Sequence, residues 1–313
     1  DRQNNGVDVG ARMGERSRWQ VVPFPPTTGR AAPLHDFMQG PVPLLNGLWE
    51  NDLTKARSYG LIRGFQQRFP SAAVLTGMSS AYLYRVGEKP SRTARFLKGV
   101  DRYFDAYNAA MLVDERGSVQ VYHKSKLVVG VELMPFQAVL EPLMGGISID
   151  MGGTNGSLGS GTERPILHTT DDKVRLVPAI CYESVFGDHL AEHTREGANL
   201  LAVITNDAWW GDTPGYKQHL AFGRLRAIEL RRPIARSANT GISCIIDERG
   251  NVLQALPWWK PGAIRALVRT SEATTFFLRH GDVIGRAGTV LGLLLVLLLV
   301  GLWGKRLFSR ARN

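Results

Sequence analysis

The sequence predicts a layered α/β domain followed by one membrane-spanning helix, and three observations carry that expectation. Two continuous apolar runs of strand length, "KVRLVPAI" and "ANLLAVITND", alternate with helical stretches, as strands buried on both faces do. Two strand–turn–strand segments are built on the same Asp-Glu-Arg-Gly turn. Near the C-terminus, 17 consecutive residues carry no charge. At 313 residues and 44% apolar content the chain is long enough to bury a sizeable core, which excludes wholesale disorder.

Residues 1–35 are rich in Arg, Gly and Pro without helical or strand periodicity and read as irregular or disordered. The main domain is expected over residues 36–270. From Asp52, "LTKARSYGLIRGFQQRF" sets Leu53, Tyr59, Leu61, Ile62 and Phe65 on one helical stripe, and "AAVLTGMSSAYLYR" reads as a strand. In "AAMLVDERGSVQVYHK" and "SCIIDERGNVLQAL", Gly117 and Gly250 supply the positive φ that hairpin turns require, which suggests two sheets of similar construction. In "KQHLAFGRLRAIELRRP", Leu220, Leu225, Ile228 and Leu230 give a helical face that stops at Pro233. The glycine-rich "GGISIDMGGTNGSLGSGTERP" lacks both the Gly-Lys-Ser/Thr ending and the G-x-G-x-x-G spacing of phosphate loops, and reads as a surface loop.

After a linker over residues 271–286, "AGTVLGLLLVLLLVGLW" at residues 287–303 reaches about 26 Å as a helix, enough for a thin bilayer. The basic tail at residues 304–313, with Lys305, Arg306, Arg310 and Arg312, should stay cytoplasmic, which puts the domain before it on the opposite face, in a bacterium the periplasm. The chain starts at Asp1 and shows no leader or second span, so an upstream segment is expected. The net charge of +10 is arginine scattered along the chain and gathered at its ends, without an aromatic-interleaved basic motif; no nucleic-acid partner is expected. Two cysteines, Cys181 and Cys244, make neither a disulfide framework nor a metal site, and no cofactor is expected.

Cys181 falls at the end of a buried strand, in "AICYESVF". Backbone N–H groups at the start of a turn or helix can stabilise a thiolate or oxyanion there, although buried cysteines are common for packing reasons alone. "YHKSKLVVGVELMPF" adds Lys124 and, eight residues on, Glu132. A lysine–carboxylate–cysteine set suits acyl transfer: the carboxylate takes the thiol proton, the thiolate attacks an acyl carbon, and the ammonium stabilises the oxyanion. No histidine is needed, and His123 and His219 read as structural hydrogen-bonding residues.

These motifs, with "ICYESVFGD" and "TNDAWWGDTPGYKQHLAFGRLRAIELRRPIARSANTGIS", resemble the carbon–nitrogen hydrolase (nitrilase) superfamily and, within it, the membrane-bound apolipoprotein N-acyltransferases, over roughly residues 47–303. The resemblance implies an αββα sandwich with Cys181 as nucleophile, Lys124 as the lysine of the triad and Glu132 as a further glutamate that positions the catalytic groups. It implies that Tyr182 and Glu183 support the nucleophile and that Tyr182 and Trp209 meet the acyl or lipid substrate. The reaction it implies transfers a fatty acyl chain from a phospholipid to the N-terminal amine of a lipidated apolipoprotein cysteine, at the bacterial inner membrane. The chain departs from the family where an early glutamate serves as general base: Pro41 falls at about that place, and Glu50, in the helix-entry "WEND", is the nearest carboxylate and candidate base. An amidase or nitrilase acting on a small substrate, or a catalytically impaired membrane-tethered remnant, are the alternatives.

Overall fold

The computed structural model describes residues 17–21, 48–133, 157–163 and 165–310; Pro41, most of the N-terminal segment and the first part of the glycine-rich stretch lie outside the described residues. A first sheet runs β2 (Leu48–Trp49), β3 (Val74–Leu83), β5 (Arg102–Val113), β4 (Arg95–Leu97), with β6 (Val119–His123) sharing the β5 edge with β4. A second sheet takes its strands in chain order: β7 (Leu167–His168), β8 (Arg175–Ile180), β9 (Leu200–Asn206), β10 (Ile234–Asn239), β11 (Cys244–Ile246) and β12 (Val252–Ala255). Its three central strands, β8, β9 and β10, are parallel.

Strand alternation sorts the side chains into three cores. Ala110, Leu112 and Tyr122 of the first sheet meet Leu176, Ile180, Leu200, Ala202 and Ala235 of the second. The other face of the second sheet, with Val177, Ala179, Leu201 and Val203, is covered by α2 (Gly187–Arg195) and α3 (Gly215–Leu230). The other face of the first sheet, with Met78, Ala109, Met111 and Val113, packs against Tyr59 and Ile62 of α1 (Arg57–Arg68). The result is an αββα sandwich in which β8 and β9 are buried on both faces, which is why their sequences read as unbroken apolar runs. Each of the two hairpins lies in its own sheet. Asp114 and Asp247 accept backbone N–H bonds inside their turns, and Gly117 and Gly250 sit at φ of +92° and +83°.

Several expectations need correction. Ser17–Val21 is not irregular but forms β1, paired antiparallel with β13 (Ile264–Val268). The stripe after Asp52 is broken: a 3-10 turn over Glu50–Lys55 and an extended Ala56 put Leu53 out of phase with α1, so Leu61 is exposed while Gln66 is buried and donates to the carbonyls of Ala72 and Asp114. On α3, Leu225 and Ile228 are exposed, and the buried face carries His219, Arg226 and Ala227 beside Leu230; Ser184 and Asp207 from neighbouring elements meet His219, and Glu229 of the same helix pairs with Arg226. The described end of the glycine-rich stretch is not a surface loop. Ser157 and Leu158 are buried, and the Gly159 and Gly161 N–H groups donate to the carbonyls of Ala106 and Lys124, filling the gap that β4 and β6 leave on the β5 edge. A Cβ on Gly161 would come within 2.4 Å of the His123 carbonyl, so close backbone approach explains this glycine. The linker is helical in part, with α4 (Phe276–His280) and then α5 (Val283–Arg310), whose residues Val283–Trp303 are long and apolar enough to cross a membrane.

Candidate active site

Ligands of α/β sheets gather at the carboxyl ends of parallel strands, and β8 delivers Cys181 there. Cys181 is half-buried, with its backbone at a φ of +52°, a left-handed conformation that costs a non-glycine residue about 1 kcal/mol or more and persists only where neighbours enforce it. The neighbours are identifiable. Its carbonyl accepts a hydrogen bond from the Ser184 hydroxyl at 2.9 Å and lies 3.0 Å from His219 Nε2. His219 Nδ1 in turn faces Asp207, whose other oxygen takes a 2.6 Å bond from the fully buried Arg236. Burial would raise the Asp207 carboxyl, but its bond from His219 and the Arg236 charge outweigh that and hold it below the ordinary range.

Lys124 follows β6 and is also buried. Its ammonium reaches both Glu132 oxygens, at 2.8 and 2.6 Å. Asn108 Nδ2 and the Val128 N–H complete the bonds to that carboxylate, at 2.9 and 2.8 Å. A buried ion pair is tolerable only when its remaining valences are met, and these partners meet them; the ammonium is thereby fixed in place.

A single carboxylate ties the two turns together. Glu183, fully buried, accepts from the Ile180 N–H at 2.9 Å and from the Ser125 and Lys126 N–H groups at 2.8 and 3.1 Å. Tyr122 Oη adds a 2.9 Å bond. Ile180 precedes Cys181 and Ser125 follows Lys124, so the Glu183 carboxylate links the backbone on either side of the sandwich next to the thiol and the ammonium. Burial alone would raise the Glu183 carboxyl; the His189 ring 3.6 Å away and hydrogen bonds from the Ile180, Ser125 and Lys126 amides hold it below its ordinary value.

The structure thus gathers Cys181, Lys124, Glu132 and Glu183. Lys126 lies beyond β6 with its backbone bonded to Glu183. Tyr182 and Trp209 are exposed, each just past the carboxyl end of a parallel strand; Tyr182 lies edge-on to Phe186, and Trp210 is exposed beside Trp209. Glu50 is elsewhere. It bonds Ser80 and His123 Nε2, and His123 stacks on Tyr107, which packs into the α1-facing core. Lys124 and its partner Asn108 have the opposite strand parity, so Glu50 sits on the other face of the first sheet. Cys244 is buried in β11, where burial pushes its thiol up to about 11. Among the described residues, no group of His, Cys, Asp and Glu side chains is arranged to hold a metal.

Sequence reading missed Asp207, Arg236, Asn108 and Tyr122 as parts of this site. Asp207 carried a signal, since it directly follows a buried strand; Arg236 lies within an apolar strand and shows its role only through the fold.

A half-buried thiol at a strained strand end, a fixed ammonium and a carboxylate tying their turns together make up the candidate site. The carbon-nitrogen hydrolase family profile matches residues 92–276, and the chain belongs to that family. It is 37% identical over 207 residues to the apolipoprotein N-acyltransferase of Chlorobaculum tepidum, covering 65% of this chain and 38% of that protein. With the enzyme of the same name from Rhizobium meliloti it shares 38% identity over 163 residues, covering 52% of this chain and 30% of that protein. The chain therefore spans well under half the length of these relatives. Among solved structures, a carbon-nitrogen hydrolase from Helicobacter pylori G27 superposes with a TM-score of 0.46 at 13% identity, over 75% of this chain and 71% of that one.

Proposed function

We propose that this chain carries the catalytic domain of an apolipoprotein N-acyltransferase, held at the bacterial inner membrane by α5 with the domain on the periplasmic side. The observation that carries the reading is the Glu183 tie, which sets the Cys181 turn beside the buried Lys124–Glu132 pair. In the first half-reaction the Cys181 thiol gives its proton to solvent, the thiolate attacks the carbonyl carbon of a phospholipid ester, and the C–O bond breaks. The lysophospholipid leaves as an alcohol, taking a proton from solvent, and the acyl chain remains as a thioester. In the second, the α-amine of the lipidated cysteine attacks the thioester, the C–S bond breaks, and the amide forms as the amine's proton returns, through solvent, to the departing thiolate. Lys124 stabilises the oxyanion of both tetrahedral intermediates, and Glu132 keeps its ammonium in position. The Glu132 oxygens are committed to four hydrogen bonds from three donors and Glu50 lies on the far face of the sheet, so neither is free to take the thiol proton.

The exposed Tyr182, Phe186, Trp209 and Trp210 offer an acyl chain an amphipathic surface at the same strand ends. The apolar span favours a lipid donor over a soluble amide, because a water-soluble substrate gives no reason to hold the domain at a bilayer. The test is acyl transfer to a diacylglyceryl lipopeptide from phospholipid vesicles. Removing everything after Asp282 should lower the rate from vesicles far more than from detergent-dispersed phospholipid. Equal loss in both, or hydrolysis of small amides outpacing transfer, would contradict the reading.

A further inference from the structure

At the amino-terminal ends of the parallel strands, about 20 Å along β8 from Cys181 at roughly 3.3 Å per residue, lies a separate cavity. It has a volume of about 450 Å³ and is bounded by β8, α2, the segment after α3, and α4. Four arginines line it, Arg175, Arg195, Arg232 and Arg279, against one lining carboxylate, Glu272; Glu272 and, just outside the lining, Asp172 at 3.7 Å both pair with Arg175. Arg232 is 4% exposed. Its Nε donates to the Ala198 carbonyl at 2.6 Å and its Nη1 to those of Leu230 and Ala273 at 3.0 and 2.7 Å. Among the described residues no carboxylate lies within ion-pair distance of it. Arg195 Nε donates to the Leu278 carbonyl of α4 at 2.6 Å. Carbonyl anchors fix these guanidinium groups without neutralising them, so the cavity holds an excess of positive charge in fixed forks.

Like charges gathered in a partly enclosed space raise the energy of the fold unless an anion bridges them, and planar guanidinium forks match phosphate oxygens in geometry. Burial pushes the Arg232 guanidinium down to about 10, with Arg175 adding to the effect and Glu272 opposing it. Location supplies a second argument. Arg279 belongs to α4, which only Gly281 and Asp282 separate from the apolar helix beginning at Val283, so a cavity wall is the element that leads into the span. Arg279 lies four residues before Val283, near enough to the root of the span to meet a lipid headgroup.

We propose that this cavity binds a phosphate-bearing anion, the headgroup phosphate of an anionic phospholipid beside α5, at a site separate from Cys181. The headgroup source rests on α5 spanning a membrane; the anion chemistry does not, and neither depends on acyl transfer.

The experiment uses the full chain in phosphate-free detergent and reads the shift in melting temperature. One arm adds phosphatidylglycerol to the micelles, a second adds inorganic phosphate against chloride at matched ionic strength, and each is run on Arg195→Ala/Arg279→Ala. Arg57→Ala/Arg92→Ala, exposed and outside the cavity, controls for the same loss of charge. Phosphatidylglycerol should raise the melting temperature of the parent chain and the control, and its apparent affinity should fall about tenfold or more in the cavity variant. A shift with inorganic phosphate alone, lost in the cavity variant, keeps the site and makes its ligand a soluble anion. No shift in the parent chain with either probe, or an equal shift in the cavity variant and the control, overturns the proposal.

Discussion

Cys181 and Cys244 are chemically the same side chain in opposite settings. Burial in β11 keeps the Cys244 thiol protonated by raising it to about 11, whereas Cys181 is partly exposed at a strand end. Iodoacetamide at neutral pH should therefore add once, at Cys181, as read by peptide mass spectrometry; modification of Cys244 in the folded chain would contradict the packing described. Lys124 calls for a more careful substitution. Lys124→Met alone strands the Glu132 carboxylate in the interior, at a cost of about 3–5 kcal/mol, so a lost rate could simply mean a lost fold. Lys124→Met/Glu132→Gln removes both charges and should keep the fold while lowering acylation about 10²- to 10³-fold. Glu50→Gln, on the other face of the sheet, should leave the rate unchanged. A crippled Glu50→Gln enzyme with an active double variant would reverse these assignments.

At the scale of elements, the Glu183 tie joins the turn after β8 to the turn after β6. Its carboxyl is depressed in the folded chain, so its stabilisation is fully present above the ordinary value of 4.5 and is lost as pH falls through the lower folded value. Asp207, also depressed, acts in the same direction. The denaturation midpoint of the parent chain should fall steeply as the medium is acidified below 4.5. Glu183→Gln should start less stable at neutral pH and fall less steeply, keeping only the Asp207 part; an unchanged slope would show that Glu183 does not hold the turns. The elements most legible in the sequence were those whose signal is local: β8 and β9 from unbroken apolar runs, the hairpins from their Asp and Gly turns, α5 from length and lack of charge. Helix faces were less legible. On α3 the buried side is marked by His219 and Arg226, and the partner of His219, Asp207, lies 12 residues away in sequence on another element. The candidate site followed the same rule. Cys181, Lys124, Glu132 and Glu183 stand in short motifs at strand ends, while Asn108, Tyr122 and Arg236 joined them only through sheet register.

In the whole molecule, the sandwich separates two kinds of surface. The carboxyl ends of β8 and β9 present Cys181 and exposed aromatic residues, and the opposite ends present the arginine-lined cavity, one wall of which is α4. The family assignment accounts for the layers. The apolar helix is the feature on which the proposal of a lipid substrate rests. The central claim is that Cys181 carries the acyl group between donor and acceptor. Its most direct test is intact-protein mass spectrometry after the full chain is incubated with phospholipid vesicles in the absence of an amine acceptor. The account predicts one added fatty acyl mass on the parent chain, removed by hydroxylamine and absent from Cys181→Ser. An acyl adduct that persists in Cys181→Ser, or a parent chain that never acquires one, would contradict it.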